Sequence, residues 1–354
     1  MLEAITSIEA ELKKVSIICP CFNEAPYISD FLHELKNQKY PFQLIEFLIV
    51  DGGSDDGTLL IIQDFVEKNS QFRLVHNPYR TAPFAMNLAL KQALGAIIIR
   101  MDIHASYPKN YVDVLTKKLD SNPSLGNVGC VLKTAPANEG SVAKGIAYAM
   151  SSNLGVGGAK FRVGVKEDTF VDTVPFGCFH KELFNHIGFY NENLTRSQDY
   201  EMNSRIRLNG YKILLTPDLT VTYYTRENYK KLVLMHFQSA YTKVLSYVFL
   251  KHFFGLRQLV PPAFLIIIFS SLILGIFLPK ILTFSASLVL VYLSTITIYS
   301  TSYLLGKESF LVIFHMITSM IFMHTSYALG YLTGIFDFLV LKKEVPLNKL
   351  KITR

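Results

Sequence analysis

Between Leu259 and Leu341 only four of 83 residues carry a charge: Lys280, Lys307, Glu308 and Asp337. A soluble domain does not look like this, because a helix that is apolar on every side has no face to offer water. The run divides into 259–278, 281–305 and 310–336. Each segment meets the ~20 residues that a helix needs to cross the hydrocarbon layer. Pro279-Lys280 and Gly306-Lys307-Glu308-Ser309 connect them. Charge is distributed around this run unevenly. Residues 1–225 carry a net −2, residues 226–257 a net +5, residues 258–341 zero, and the tail from Lys342 a net +4. The overall +7 is too small and too scattered for a dedicated nucleic-acid binder, so no nucleic-acid partner is expected.

The first 225 residues read differently. Short β-branched or aromatic runs at 15–20, 45–51, 72–77 and 96–102 alternate with helical patterns at 24–37, 56–68, 83–94 and 108–119. Alternation at this spacing predicts an α/β domain, a mostly parallel sheet with helices on both faces, and ligands at the carboxyl ends of the strands. Cys19, Cys21, Cys130 and Cys178 have neither zinc-site spacing nor disulfide density, so buried reduced thiols are expected. The stretch MLEAITSIEAELKK is amphipathic and acidic and lacks an apolar signal core, which gives no reason to expect export. Residues 226–258 form a separate region. Here Val233, Phe237, Ala240, Val244 and Tyr247 recur at helical steps beside Lys230, Lys231, Lys243 and Lys251, predicting a basic amphipathic helix at an anionic lipid surface.

Polar clusters fall where strands end. Asn23-Glu24 follows the first strand. Asp51-Gly52-Gly53-Ser54-Asp55-Asp56-Gly57-Thr58 follows the second; it suits close approach of a ligand to backbone, and equally a tight turn that caps a helix. Asp102-Ile103-His104 follows the fourth, and a carboxylate and an imidazole two residues apart are able to converge on one divalent cation. Gln198-Asp199-Tyr200-Glu201 opens a later helix, where Asp199 is either a dipole-stabilised first-turn acid or a general base. The phosphate-binding glycine patterns of dinucleotide and P-loop folds are absent. Arg80, Asn87 and the loop 155–164 have no assigned role, and His180 reads as a structural histidine.

Taken in order, four of these pieces resemble the family 2 glycosyltransferases of the GT-A fold over residues 15–224: the run from Val15 to Glu24, the run from Val50 to Thr58, Asp102-Ile103-His104, and Gln198-Asp199. The stretch Arg100 to Pro108, with Val171 to Gly177, is most similar to membrane-bound enzymes of bacterial exopolysaccharide assembly such as the succinoglycan glucosyltransferases. The resemblance implies that Pro20, Asn23, Glu24, Asp51, Ser54 and Asp102 bind a nucleotide, with Asp51 on its base. It further implies that Asp102 and His104 hold Mg²⁺ or Mn²⁺ and that Asp199 is the catalytic base. His104 replaces the family's usual second aspartate, and Gln198 its usual glutamate. The Gln-x-x-Arg-Trp of processive members is missing, and the chain has no tryptophan, so one sugar per encounter is expected.

The implied function is inverting transfer of a sugar, with UDP-glucose or a related UDP-sugar as donor, to a polyprenyl-diphosphate-linked acceptor. The place would be the cytoplasmic face of the inner membrane, among membrane lipids and polysaccharide-assembly partners. A non-catalytic nucleotide-binding scaffold of an assembly complex is the alternative. A transporter is disfavoured, since His315, His324 and Asp337 alone offer a polar path through the apolar run. Topology stays open: three crossings place Lys342, Lys343, Lys349, Lys351 and Arg354 across the membrane from the catalytic domain, against the positive-inside tendency, unless one span is re-entrant or the long third run returns to the same face.

Overall fold

The computed structural model describes residues 12–252 and 255–343. The expectations for MLEAITSIEAELKK up to Glu11, and for Lys349, Lys351 and Arg354 of the tail, fall outside them. In chain order the strands are β1 (Val15–Cys21), β2 (Ile45–Asp51), β3 (Phe72–His76), β4 (Ile97–Arg100), β5 (Ala105–Ser106), β6 (Leu125–Ala135), β7 (Thr169–Phe170), β8 (Cys178–His180) and β9 (Lys212–Tyr224). Helices α1 (Ala25–Lys36), α2 (Thr58–Glu67), α3 (Ala82–Gln92) and α4 (Tyr111–Asp120) fill the first half. Then come α5 (Ser141–Ser151), α6 (Asn153–Val156), α7 (Lys160–Val163), α8 (Leu183–Ile187) and α9 (Gln198–Leu208). The C-terminal helices are α10 (Tyr229–Leu250), α11 (Val260–Gly275), α12 (Pro279–Leu304) and α13 (Phe310–Ile335), the last continuing as one π-helical turn, Phe336–Val340.

These elements form two compact units. The first comprises the chain up to Lys133 with Gly164–Tyr223, and the second Thr134–Val163 with everything from Tyr224. The expected single boundary near 225 therefore needs a correction: residues 134–163 leave the α/β unit and pack with the C-terminal helices.

In the first unit the sheet runs β3-β2-β1-β4-β8-β6-β9-β5, with β7 also on β9. The β3-β2-β1-β4 half is parallel, as its wholly buried strands β1, β2 and β4 predict. The other half is antiparallel, so the sheet is mixed rather than mostly parallel. β5, β7 and β8 are two or three residues long, too short to show an alternation in sequence. Between β1 and β4 the order reverses, which opens the crevice where open α/β sheets bind ligands. Pro20 fits this place. Pairing with β4 stops at Ile18↔Arg100, so Pro20 pairs only with β2 and sits beside the opening. All four cysteines are buried thiols.

A buried amide ladder fixes α9 to the sheet. Asn203 Nδ2 donates to Thr173 Oγ1 (2.9 Å) and the Val174 carbonyl (2.8 Å), while its Oδ1 accepts from Asn127 Nδ2 (2.7 Å). Asn127 Oδ1 in turn accepts from Cys178 N at 3.1 Å. Gly177, at φ 95°, permits this: a Cβ there would stand 2.6 Å from Asn127 Oδ1 and 2.5 Å from the Phe179 ring.

In the second unit α13 is the shared partner. Gly145 of α5 seats against His315, Gly330 lies under the Phe237 carbonyl, and Gly334 lies under Tyr241 and Val244; a Cβ at Gly330 would come within 2.2 Å of that carbonyl oxygen. Of the stripe Val233–Tyr247, Ala240 and Val244 are buried and Val233, Phe237 and Tyr247 half-buried, with Leu232, Met235 and Leu245 buried beside them, so part of that side is turned onto protein. The three polar groups of the apolar run are also tied off. Tyr229 Oη donates to His315 Nδ1 (2.6 Å) or accepts from it, and Tyr241 Oη donates to Asp337 (2.9 Å). His324 Nε2 donates to the Leu154 carbonyl at 3.1 Å, leaving its Nδ1 to accept from Tyr292 Oη at 3.0 Å.

Replacing Asn203 by Leu keeps the volume but leaves Asn127 and the Val174 carbonyl short of partners inside the core. Stability should fall by about 1–3 kcal/mol, read as a lowered thermal midpoint; an unchanged midpoint would show that the ladder contributes nothing net.

Candidate active site

Three loops converge at the β1–β4 crevice. The turn after β2 is built around Asp51, whose side chain is buried. Its Oδ2 accepts from Gly53 N (2.9 Å) and Ser54 N (3.0 Å), and its Oδ1 from Ser54 Oγ (2.5 Å). Ser54 Oγ also accepts from Asn23 N (2.8 Å), which lets Asn23 adopt φ 55°. Asn23 and Asp55 exchange two further hydrogen bonds, Nδ2 to Oδ1 at 2.9 Å and N to Oδ1 at 3.0 Å. Glu24 N donates to Thr58 Oγ1 (2.8 Å), and Ala25 N to Asp56 Oδ2 (3.0 Å). The β1 and β2 loops are thus one cross-braced cradle. Gly52 has Arg80 Cα 3.2 Å from where its Cβ would be, so the third strand's loop also closes on it. Arg80 lies over the Phe22 ring at 5.7 Å.

Two of the carboxylates named from the sequence, Asp102 and Asp199, meet at a residue to which sequence reasoning gave no role. Arg100, the last residue of β4, is buried with its side chain 5% exposed. Its guanidinium forks: Nε and Nη2 donate to Asp102 Oδ1 and Oδ2 (2.9 and 3.2 Å), and Nη1 donates to Asp199 Oδ1 (2.7 Å). Tyr107 Oη accepts from Asp102 N at 2.7 Å and so fixes the backbone there. Asp199 stands in the first turn of α9, after Ser197 at φ 59°. Burial pushes its carboxyl up to about 6, with Asp102 adding to the rise and Arg100 opposing it. The Asp199 side chain keeps 26% of its surface exposed, enough for a hydroxyl to reach it.

The segment that delivers Asp199 is braced from behind. Arg205 holds Glu201 bidentately (2.8 and 3.0 Å) and donates to the carbonyls of Ile187, Gly188 and Phe189. Asn87 exchanges hydrogen bonds with Tyr190 (2.9 Å each way) and reaches Glu192 at 2.8 Å. That gives Asn87 a structural role. His180 lies 3.4 Å from Asp120 on β8, as a structural histidine would.

His104 Nδ1 lies 3.1 Å from Glu24 Oε1. Because an ionised carboxylate only accepts, the proton sits on Nδ1, and Nε2 is the nitrogen left to ligate. Asp102 and His104 thus present one hard oxygen donor set and one imidazole. Among the described residues no three His, Cys, Asp or Glu side chains cluster as a metal cage. Two protein donors completed by phosphate oxygens is a donor set that suits Mg²⁺ or Mn²⁺.

Residues 16–187 match the family described as Glycosyl transferase family 2. A dolichyl N-acetyl-α-D-glucosaminyl phosphate 3-β-D-2,3-diacetamido-2,3-dideoxy-β-D-glucuronosyltransferase of Methanococcus voltae is 30% identical over 270 residues, covering 74% of this chain and 82% of that protein. The chain belongs to glycosyl transferase family 2. The succinoglycan biosynthesis protein ExoA of Rhizobium meliloti (strain 1021) is likewise 30% identical, over 73% of this chain and 77% of its own length. Among solved structures, the mannosyltransferase PcManGT of Pyrobaculum calidifontis superposes with a TM-score of 0.57 at 18% identity, covering 94% of this chain and 88% of that one. The chain is a glycosyltransferase with a GT-A fold, followed by helices long and apolar enough to cross a membrane.

Within this glycosyltransferase the sequence pointed to Asp102 and Asp199 separately, while Arg100 is what brings them together. Its only sequence signal was a cation as the final residue of a buried apolar strand, a place that demands a partner. If Asp199 is the base, it must be ionised to work, and transfer should decline as pH falls through about 6. Arg100⁺ favours the Asp199 anion, so Arg100→Met should move that limb to higher pH, and Arg100→Lys should move it less. A pH–kcat/KM profile whose acid limb stays in place in Arg100→Met would detach Arg100 from the base.

Proposed function

We propose that this glycosyltransferase transfers a single sugar, with inversion, from a uridine diphosphate sugar, glucose first among the candidates, to an acceptor hydroxyl on a polyprenyl-diphosphate carrier. The setting is exopolysaccharide or other surface-glycan synthesis at the cytoplasmic face of the inner membrane. The observation that carries this reading is Asp199: a carboxyl raised towards neutrality, partly open, and joined to Asp102 through one guanidinium.

Asp199 takes the proton from the acceptor hydroxyl, whose oxygen then attacks the anomeric carbon from the side opposite the leaving diphosphate. Arg100 keeps Asp199 ionisable and aimed, and its charge offsets the negative charge that gathers beside Asp102. Asp102 and His104, the latter steadied by Glu24, would hold Mg²⁺ or Mn²⁺, which supplies charge neutralisation for the departing diphosphate. The cradle of Asn23, Asp51 and Ser54, with Pro20 at the strand opening, receives the nucleotide. Asp51 has spent three acceptor positions on its own turn, so an imide N–H of the base would meet its remaining lone pair. Support for a lipid-linked acceptor comes from the Methanococcus relative, whose name specifies a dolichyl phosphate sugar, and from three helices able to enter a bilayer. Support for a metal comes from the mannosyltransferase solved with GDP-mannose and Mn²⁺.

Asp199→Asn preserves size and removes the base. Transfer should drop by ~10² or more while calorimetric affinity for UDP stays within a few-fold and above that for GDP. Equal loss of affinity would make Asp199 a binding residue, retained turnover would remove it as the base, and absence of donor transfer or hydrolysis by the unaltered protein would favour the scaffold reading. Proton NMR of the product should show the anomeric configuration opposite to the donor's.

Excess chelator should stop transfer. His104→Ala should raise the metal concentration needed for half-maximal rate with little change in the thermal midpoint of the metal-free protein. Full turnover in chelator would remove the metal from the reading.

A further inference from the structure

The three apolar helices are not equivalent. In α11 and α12 apolar side chains are exposed on nearly every side, among them Ile266, Phe269, Leu272, Leu290, Val291 and Ile298. The pair close on each other, with Gly275 against Leu282 and Ser285 Oγ donating to Ser271 Oγ at 2.6 Å, which defines an antiparallel hairpin. Within the most apolar stretch of each helix, 17% of α11 and 11% of α12 is buried in protein, against 39% of α13.

What covers α13 matters more than how much. α10 runs beside it in the same direction: Tyr229 meets His315 and Phe322, Phe237 meets Gly330, and Tyr241 meets Gly334, Asp337 and Phe338. α5 and α6 cover its first half through Gly145 at His315, Tyr148 Oη donating to Glu308 (2.7 Å), and the Leu154 carbonyl at His324. The later part of α12 also touches it, Tyr292 Oη at His324 (3.0 Å) and Ser300 Oγ at Met320 Sδ (4.0 Å). The companions α10 and α5 are polar. α10 carries Lys230, Lys231, His236, Gln238 and Lys243, and α5 carries Lys144, ion-paired to Glu139 at 2.9 Å. If α13 crossed the bilayer, α10 would have to cross alongside it, taking those lysines into hydrocarbon. The exposed apolar side chains of α13 follow a single stripe instead: Leu311, Phe314, Phe322, Leu329 and Phe336. One apolar stripe at helical spacing, with protein on the other faces, is the pattern of a helix lying in the interface plane.

We propose that only α11 and α12 cross the bilayer, as a hairpin, while α13 lies in the headgroup layer on the side from which the hairpin enters. The chain after Val340 then returns to that side. This places the net +5 of residues 226–257 and the net +4 from Lys342 on one face, as the positive-inside tendency requires, and an anionic leaflet is the surface that the α13 stripe and its flanking cations fit. The inference rests on the packing of the second unit and holds whichever sugar is transferred.

Single cysteines at Lys280, Lys307 and Leu341 report the three connections, against a background of four buried native thiols. In sealed vesicles a membrane-impermeant maleimide should label Lys307→Cys and Leu341→Cys from the same side. Lys280→Cys should be labelled from the other side, its signal there lost until the vesicles are opened. Lys342→Cys doubles Leu341→Cys should that variant not accumulate. Labelling of Leu341→Cys on the side opposite to Lys307→Cys would show that α13 crosses and overturn the proposal; so would labelling of Lys280→Cys on the same side as both.

Discussion

One buried guanidinium shared by two carboxylates holds the active end of this glycosyltransferase together. Arg100 and Asp199 are 99 positions apart, yet Nη1 and Oδ1 are 2.7 Å apart. Asp102 and Asp199 could not both be ionised at this spacing without a cation between them, and a cation buried at the end of β4 could not be tolerated without both. The triad therefore constrains the rest. The β1–β4 register ends on Arg100, the Tyr107 hydroxyl fixes the Asp102 backbone, and the Asn203 ladder with the Arg205 clamp sets where α9 begins.

Next to this triad, the cradle formed by the β1 and β2 loops is made of residues that look equally like ligand groups and like turn chemistry, and their hydrogen bonds to one another are turn chemistry. Asp51, Ser54, Asn23 and Asp55 complete one another's hydrogen bonds before any ligand arrives. Such a loop pays its ordering entropy at folding, so any ligand entering it would meet a surface already set.

The second unit shows why a chain can carry three apolar runs and not use them alike. Gly330 and Gly334 on α13, and Gly145 on α5, admit close contact of α13 with α10 and α5, while α11 and α12 leave most of their apolar surface exposed and touch α13 at points such as Tyr292 on His324. Residues 134–163 belong to this unit. A chain cut near Tyr224 would therefore leave α5 without the helix that covers it, so separating catalysis from membrane attachment by truncation would also damage packing.

The sequence by itself determined the local facts. Uninterrupted apolar runs bounded by Pro, Gly and charge gave the parallel strands and the three long helices to within a few residues, because periodicity and length are local properties. Strand-end carboxylates gave Asp102, Asp199 and the Asp51 turn for the same reason, and His104 and Glu24 were named without the hydrogen bond that joins them. Tertiary structure alone decided what depends on distant segments meeting. It made the second half of the sheet antiparallel, with the three-residue β8 between β4 and the long β6 and with β9 pairing strands far from it in sequence, turned part of α10 onto α13, drew residues 134–163 out of the α/β unit, and brought Arg100 between two acids. A lone arginine at the end of an apolar strand announces only that it needs a counter-charge; which acid answers is settled by the fold, since burial makes an unpaired charge too costly to leave.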